Sequence, residues 1–209
     1  MAARVQLLEP RLLLAAPFAE FVDPNPAAGN QFGATVIVLS TGNVVVTSPG
    51  DDFGGTDAGA VYLFNGATGS LISTLRGSQS NDQIGNAGVT ALSNGNFVVV
   101  STSWDNGAVA SVGAVTWGSG TTGVSSVVSA ANSLVGTAGS DQIGSSGIVA
   151  LSNGNYLVRS PNWNNVSAPD AGAVTWGAAR PASAVSSARP IASLAAIWMT
   201  MLAILASPS

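Results

Sequence analysis

Few residues in this sequence could do chemistry. Of its 209 residues none is cysteine or histidine, and ten acidic and six basic side chains make up 8% of the chain. That removes thiolate nucleophiles, imidazole bases and the usual ligands of transition metals, and leaves scattered carboxylates and hydroxyls. What recurs is an aromatic beside hydrogen-bonding groups: Trp104-Asp105-Asn106 and, 59 residues later, Trp163-Asn164-Asn165. An indole supplies a flat apolar face and its neighbours supply polar contacts, which suits stacking on a sugar or anchoring a protein. These six residues are the candidate ligand site, expected to stand exposed in loops. The competing reading has both Trp filling contacts between neighbouring units. Asp51, Asp52 and Asp57 could gather a weak cation or serve ordinary turn chemistry. Asn165-Val166-Ser167 fits a glycosylation acceptor. No residue is assigned as catalytic or as a metal ligand, no cofactor is expected, and the chain is not expected to be an enzyme.

The elements that must hold these loops repeat along the chain. Phe32-Gly33, Ile84-Gly85 and Ile143-Gly144 open three copies spaced 52 and 59 residues apart, the last two preceded by Asp82-Gln83 and Asp141-Gln142. An apolar run and a tight turn follow each opening: VIVLSTGNVVV from Val36, VTALSNGNFVVV from Val89 and IVALSNGNYLV from Ile148. Gly-Asn pairs at 42–43, 95–96 and 154–155 tolerate positive φ between β-branched strands, a hairpin signal. Third strands are read at Gly59-Ala60-Val61-Tyr62, Gly113-Ala114-Val115-Thr116 and Gly172-Ala173-Val174-Thr175, with Trp117 and Trp176 expected in the core. Fourth strands are expected at Leu71–Leu75 and Val124–Val128. The predicted class is all-β: tandem four-stranded repeats like the blades of a propeller, or alternatively an open stack of β repeats. Three blades cannot close a propeller, which needs at least four, so the chain is expected to be a fragment.

The first repeat carries a family resemblance. Phe32-Gly33, the hairpin, Thr47-Ser48-Pro49-Gly50-Asp51-Asp52 and Ala58-Gly59-Ala60-Val61-Tyr62-Leu63-Phe64 together resemble the FG-GAP repeat of integrin-α-like β-propellers. The resemblance covers roughly residues 30–177 and implies four-stranded blades serving adhesion or protein recognition. Many such blades bind calcium between their first strands. Here that place holds Ser40-Thr41-Gly42-Asn43, Ser93-Asn94-Gly95-Asn96 and Ser152-Asn153-Gly154-Asn155, without the carboxylates calcium requires, so calcium is not carried over. The later repeats also look like those of large bacterial haemagglutinin-like surface proteins. Near the start, LEPRLLL at residues 8–14 resembles the LEPR-XLL motif of large repetitive surface proteins; the alternative is a lead-in helix ended by Pro10.

The reading divides the chain into a leader and linker (1–29), repeat 1 (30–80), repeat 2 (81–139), a truncated repeat 3 (140–177) and an apolar tail (178–209). The apolar stretch 191–206 is short for a membrane span, so a membrane is not an expected partner unless it anchors the chain. Codons permitted for the tail, read one nucleotide out of register, continue the pattern of repeat 2, with Trp198-Met199-Thr200 yielding Asp-Asp, so the tail reads as a frameshifted repeat. A net charge of −4 and the absence of a basic stripe argue against nucleic acid. The expected partner is a glycan or protein outside the cell or on a bacterial surface, with a purely structural spacer as the alternative role.

Overall fold

The computed structural model describes residues 20–165 and 168–179. The LEPRLLL motif and the tail from residue 180, including the stretch 191–206, lie outside these residues. The described residues are all-β, in three small sheets that do not close into a barrel. Repeat 1 supplies β1 (Val36–Val38), β2 (Val44–Ser48), β3 (Ala60–Phe64) and β4 (Leu71–Arg76), each pairing antiparallel with the next. Repeat 2 supplies β5 (Val89–Ala91), β6 (Phe97–Ser101), β7 (Ala114–Gly118), β8 (Ser126–Val127) and β9 (Ser133–Val135). Repeat 3 supplies β10 (Ile148–Ala150), β11 (Tyr156–Ser160) and β12 (Ala173–Gly177).

The hairpin turns form where the Gly-Asn pairs lie, with a difference in detail. Gly42, Gly95 and Gly154 take φ of 84°, 84° and 85°, while the asparagines after them do not take positive φ. Gly42 N–H donates to the Leu39 carbonyl, and Leu39 N–H to the Asn43 carbonyl. A tight turn followed by one left-handed glycine therefore joins the strands, and only the glycine needs that freedom.

The fourth strand of repeat 2 is not at Val124–Val128. Ser126 and Val127 instead pair in parallel with Leu75 and Arg76, extending the sheet of repeat 1, and Val128 N–H donates to the Arg76 carbonyl at 3.0 Å. The strand that completes the second sheet is β9, antiparallel to β7. Counting back from the Asp-Gln opening shows why: Arg76 and Val135 both end a strand just before a glycine, six residues ahead of Asp82 and Asp141.

The central strands of repeats 1 and 2 carry unbroken apolar runs because both faces of their sheets are covered. Val45 and Leu63 of repeat 1 pack with Phe97 and Val99 of repeat 2 in one core. Val98 and Val100, on the opposite face of β6, pack with Tyr156 and Val158 of repeat 3 in a second. The outer face of repeat 1, with Tyr62 and Phe64, is covered by Phe21 and Phe32, whose rings lie 5.5 and 6.1 Å from Phe64. The outer face of repeat 3 has no such cover among the described residues. Trp176, expected in the core, is 58% exposed there, whereas Trp117 is half-buried against repeat 3.

Candidate functional site

The two Trp loops connect β6 to β7 and β11 to β12, and what fixes them lies underneath. Asp82 and Asp141, from the repeat openings, are fully buried. Asp82 Oδ2 accepts hydrogen bonds from Ser78 N–H and Gln79 N–H at 2.9 Å, and its Oδ1 accepts one from Asp105 N–H at 3.1 Å. Asp141 repeats the pattern: Oδ2 accepts from Thr137 and Ala138 N–H, and Oδ1 from both the backbone N–H and Nδ2 of Asn164. A buried carboxylate needs such donors, since unpaired it would be costly to desolvate. Each aspartate thus ties the segment entering its repeat to the loop beside the tryptophan.

The neighbouring serines close the same corner. Gly85 N–H donates to Ser101 Oγ at 3.1 Å and Gly144 N–H to Ser160 Oγ at 3.0 Å. The openings also dock on the preceding repeat through backbone bonds. Asn81, Gln83 and Ile84 N–H donate to the carbonyls of Thr56, Asp57 and Ala58; Ser140, Gln142 and Ile143 N–H donate to those of Ala110, Ser111 and Val112.

The six ligand-site residues are brought to corresponding places, but the two indoles do not stand out into solvent. Trp104 is 4% exposed and belongs to the core between repeats 1 and 2; Trp163 is 9% exposed and belongs to the core between repeats 2 and 3. Filling the joint between neighbouring sheets removes their apolar surface from water, which outweighs leaving it open in a loop. Their indole N–H groups have no acceptor among the described residues. Asp105 and Asn164 act as struts: besides their bonds to the buried aspartates, Asp105 Oδ1 accepts from Ser111 N–H at 2.7 Å and Asn164 Oδ1 from Asp170 N–H at 2.9 Å. Asn106 and Asn165 head the tips, where Asn106 N–H donates to the Val109 carbonyl and Asn165 N–H to that of Ala168. Residues 166 and 167 of the glycosylation motif lie outside the described residues.

In repeat 1, Asp51 stands where the later loops have tryptophan; its N–H reaches the Ser48 carbonyl as those of Trp104 and Trp163 reach Ser101 and Ser160. Asp51 Oδ2 accepts the Tyr62 hydroxyl at 2.6 Å, and Oδ1 accepts Asn25 Nδ2 and Phe53 N–H. Burial, reinforced by Asp51, pushes the Tyr62 phenol well above its ordinary range. Asp52 closes the loop by accepting Asp57 N–H at 2.8 Å. Asp51, Asp52 and Asp57 do not converge, and no three acidic groups among the described residues gather at one point. Beside them Phe53 is exposed, with the Arg76 guanidinium 4.8 Å from its ring centre.

Sequence reading missed the roles of Asp82, Asp141, Ser101 and Ser160. The signal was present for the aspartates: an acidic residue recurring at the head of an apolar-glycine pair in a chain so poor in charge.

Comparison with known proteins agrees with the repeat architecture. Residues 18–64 match the family model of the FG-GAP repeat, and residues 91–145 and 150–188 that of a repeat of unknown function (DUF5650). No curated protein matches the chain. The first repeat is thus similar to the FG-GAP repeat, and the three small sheets are arranged as propeller-like β repeats that do not close among the described residues.

Proposed function

We propose that the chain is a non-enzymatic part of a surface or secreted protein, of the large haemagglutinin-like kind, whose repeats serve adhesion to a glycan or protein. One observation supports the reading above the rest: the loops of repeats 2 and 3 are braced alike from below, each by a buried aspartate, and their tips face solvent. Recognition residues commonly sit on loops held by a rigid scaffold, and two similarly braced loops would present a repeated surface. The contacts then lie at the tips, at Asn106 and Val109, which are exposed, and not at the buried indoles. Burial of Trp104 and Trp163 favours the second reading, a structural spacer whose loops only brace the stack.

Binding of the full chain to whole cells and to a glycan array separates the two. Adhesion predicts saturable binding that falls at least tenfold, by order of magnitude, in Asn106→Ala with Val109→Ser, while the melting temperature stays unchanged. The spacer reading predicts no saturable binding to either.

A further inference from the structure

We propose that the outer side of repeat 3 is a preformed socket for one kind of polypeptide segment: a short β-strand, a glycine, and a corner of the Asp-Gln-Ile-Gly type from a further repeat. The two junctions inside the chain define that segment. At the first, β4 pairs with β3, and the following corner lays Ile84 and Gly85 on repeat 1, where an added Cβ on Gly85 would lie 2.8 Å from a Val61 methyl. At the second, β9 pairs with β7, and Gly144 meets Val100 at the same 2.8 Å.

Repeat 3 has the receiving parts in the same shape and lacks the segment among its described residues. Among the described residues its sheet has three strands, and β12 has no partner on the edge where β3 and β7 are paired. The loop that receives the corner is already set: Asp170 and Gly172 take φ of 48° and 74°, against 52° and 76° for Asp57 and Gly59 and 50° and 75° for Ser111 and Gly113. By position, the carbonyls of Pro169, Asp170 and Ala171 correspond to the three that accept the corner's N–H groups at each internal junction. Beside them a groove of about 390 Å³ runs between Ser146, Arg159, Pro161, Gly172 and Val174. Val174, 68% exposed, corresponds to the buried Val61 and Val115. A free strand edge, a triplet of acceptors and an apolar floor are the means by which an added strand is bound.

The test uses the full chain with a labelled peptide of residues 133–147, which contains β9 and its corner. Saturable binding is expected, weakened at least tenfold by Ile143→Asp in the peptide or Val174→Asp in the chain. In a second arm, a copy of residues 65–85 is joined after Gly177 in place of the tail. Acrylamide quenching of Trp176, read as the difference from the matching Trp176→Phe chain, should fall severalfold relative to the original chain. Failure of both arms overturns the proposal, as does equal binding by the Ile143→Asp peptide. Low quenching of Trp176 in the unaltered chain would overturn it in favour of cover by residues 180–209, and concentration-dependent shielding in favour of a second copy.

Discussion

Asp82 is fully buried and accepts three hydrogen bonds, so each donor depends on it and it on them. Asp82→Ala takes the acceptor from three part-buried N–H groups and should cost about 2–3 kcal/mol in urea denaturation, at the low end of about 1–3 kcal/mol per stranded group because those groups relax toward solvent. Asp82→Asn should cost less, because Asn30 already stands at the matching position of repeat 1. Tyr62 makes a different prediction. Folding keeps its phenol neutral, while in the unfolded chain it ionises near pH 10, at about the ordinary value. The stability it contributes is therefore whole below about pH 10 and is lost as pH rises beyond that, when only the unfolded chain releases the proton. Tyr62→Phe should flatten this alkaline loss while costing about 1–3 kcal/mol at neutral pH, where Asp51 loses a donor. Denaturation measured across about pH 8–11 checks both; Tyr156, also raised by burial, retains part of the slope. These residues were hard to read in the sequence because burial decides their roles. Trp104 looks like a loop aromatic until repeat 1 is packed against it.

Hairpins and openings were legible because their signals are local: a glycine at a turn, a valine run on either side. The parallel pairing of β8 with β4 was not, since its partner strand lies in another repeat and two residues carry no periodicity of their own. The opening glycines show how one motif acquires different weight by position. Gly85 and Gly144 combine positive φ with a neighbouring valine at 2.8 Å, whereas Gly33 has φ of 91° and open space around it. Gly85→Ala and Gly144→Ala should therefore cost about 2–4 kcal/mol, from left-handed strain and overpacking together, and Gly33→Ala about 1 kcal/mol from strain alone. Thermal or urea melts of the three variants give the comparison. An equal loss at all three would mean that the close approach to valine adds nothing.

Across the molecule, stability should follow the cover on each sheet. Among the described residues repeat 2 is packed on both faces and repeat 3 on one, so amides of β6 and β7 should exchange with solvent at least about tenfold more slowly than those of β11 and β12. Native-state hydrogen exchange reads this directly, and uniform protection would mean the three sheets open as one unit. The repeat architecture was readable from a fixed pattern of openings, while the cover that Phe21 and Phe32 lay over repeat 1 was not, because it depends on which segments meet. The openings have a direction as well. The corner of repeat 2 rests on Val61 and that of repeat 3 on Val100 and Val115, residues that in each case come earlier in the chain. A ribosome releases the chain from its amino end, so every corner emerges to find its seat already made. The corners are thus seated in the order of synthesis, while the facing sides of repeats 1 and 2 are covered only as β6 and then β11 follow them out.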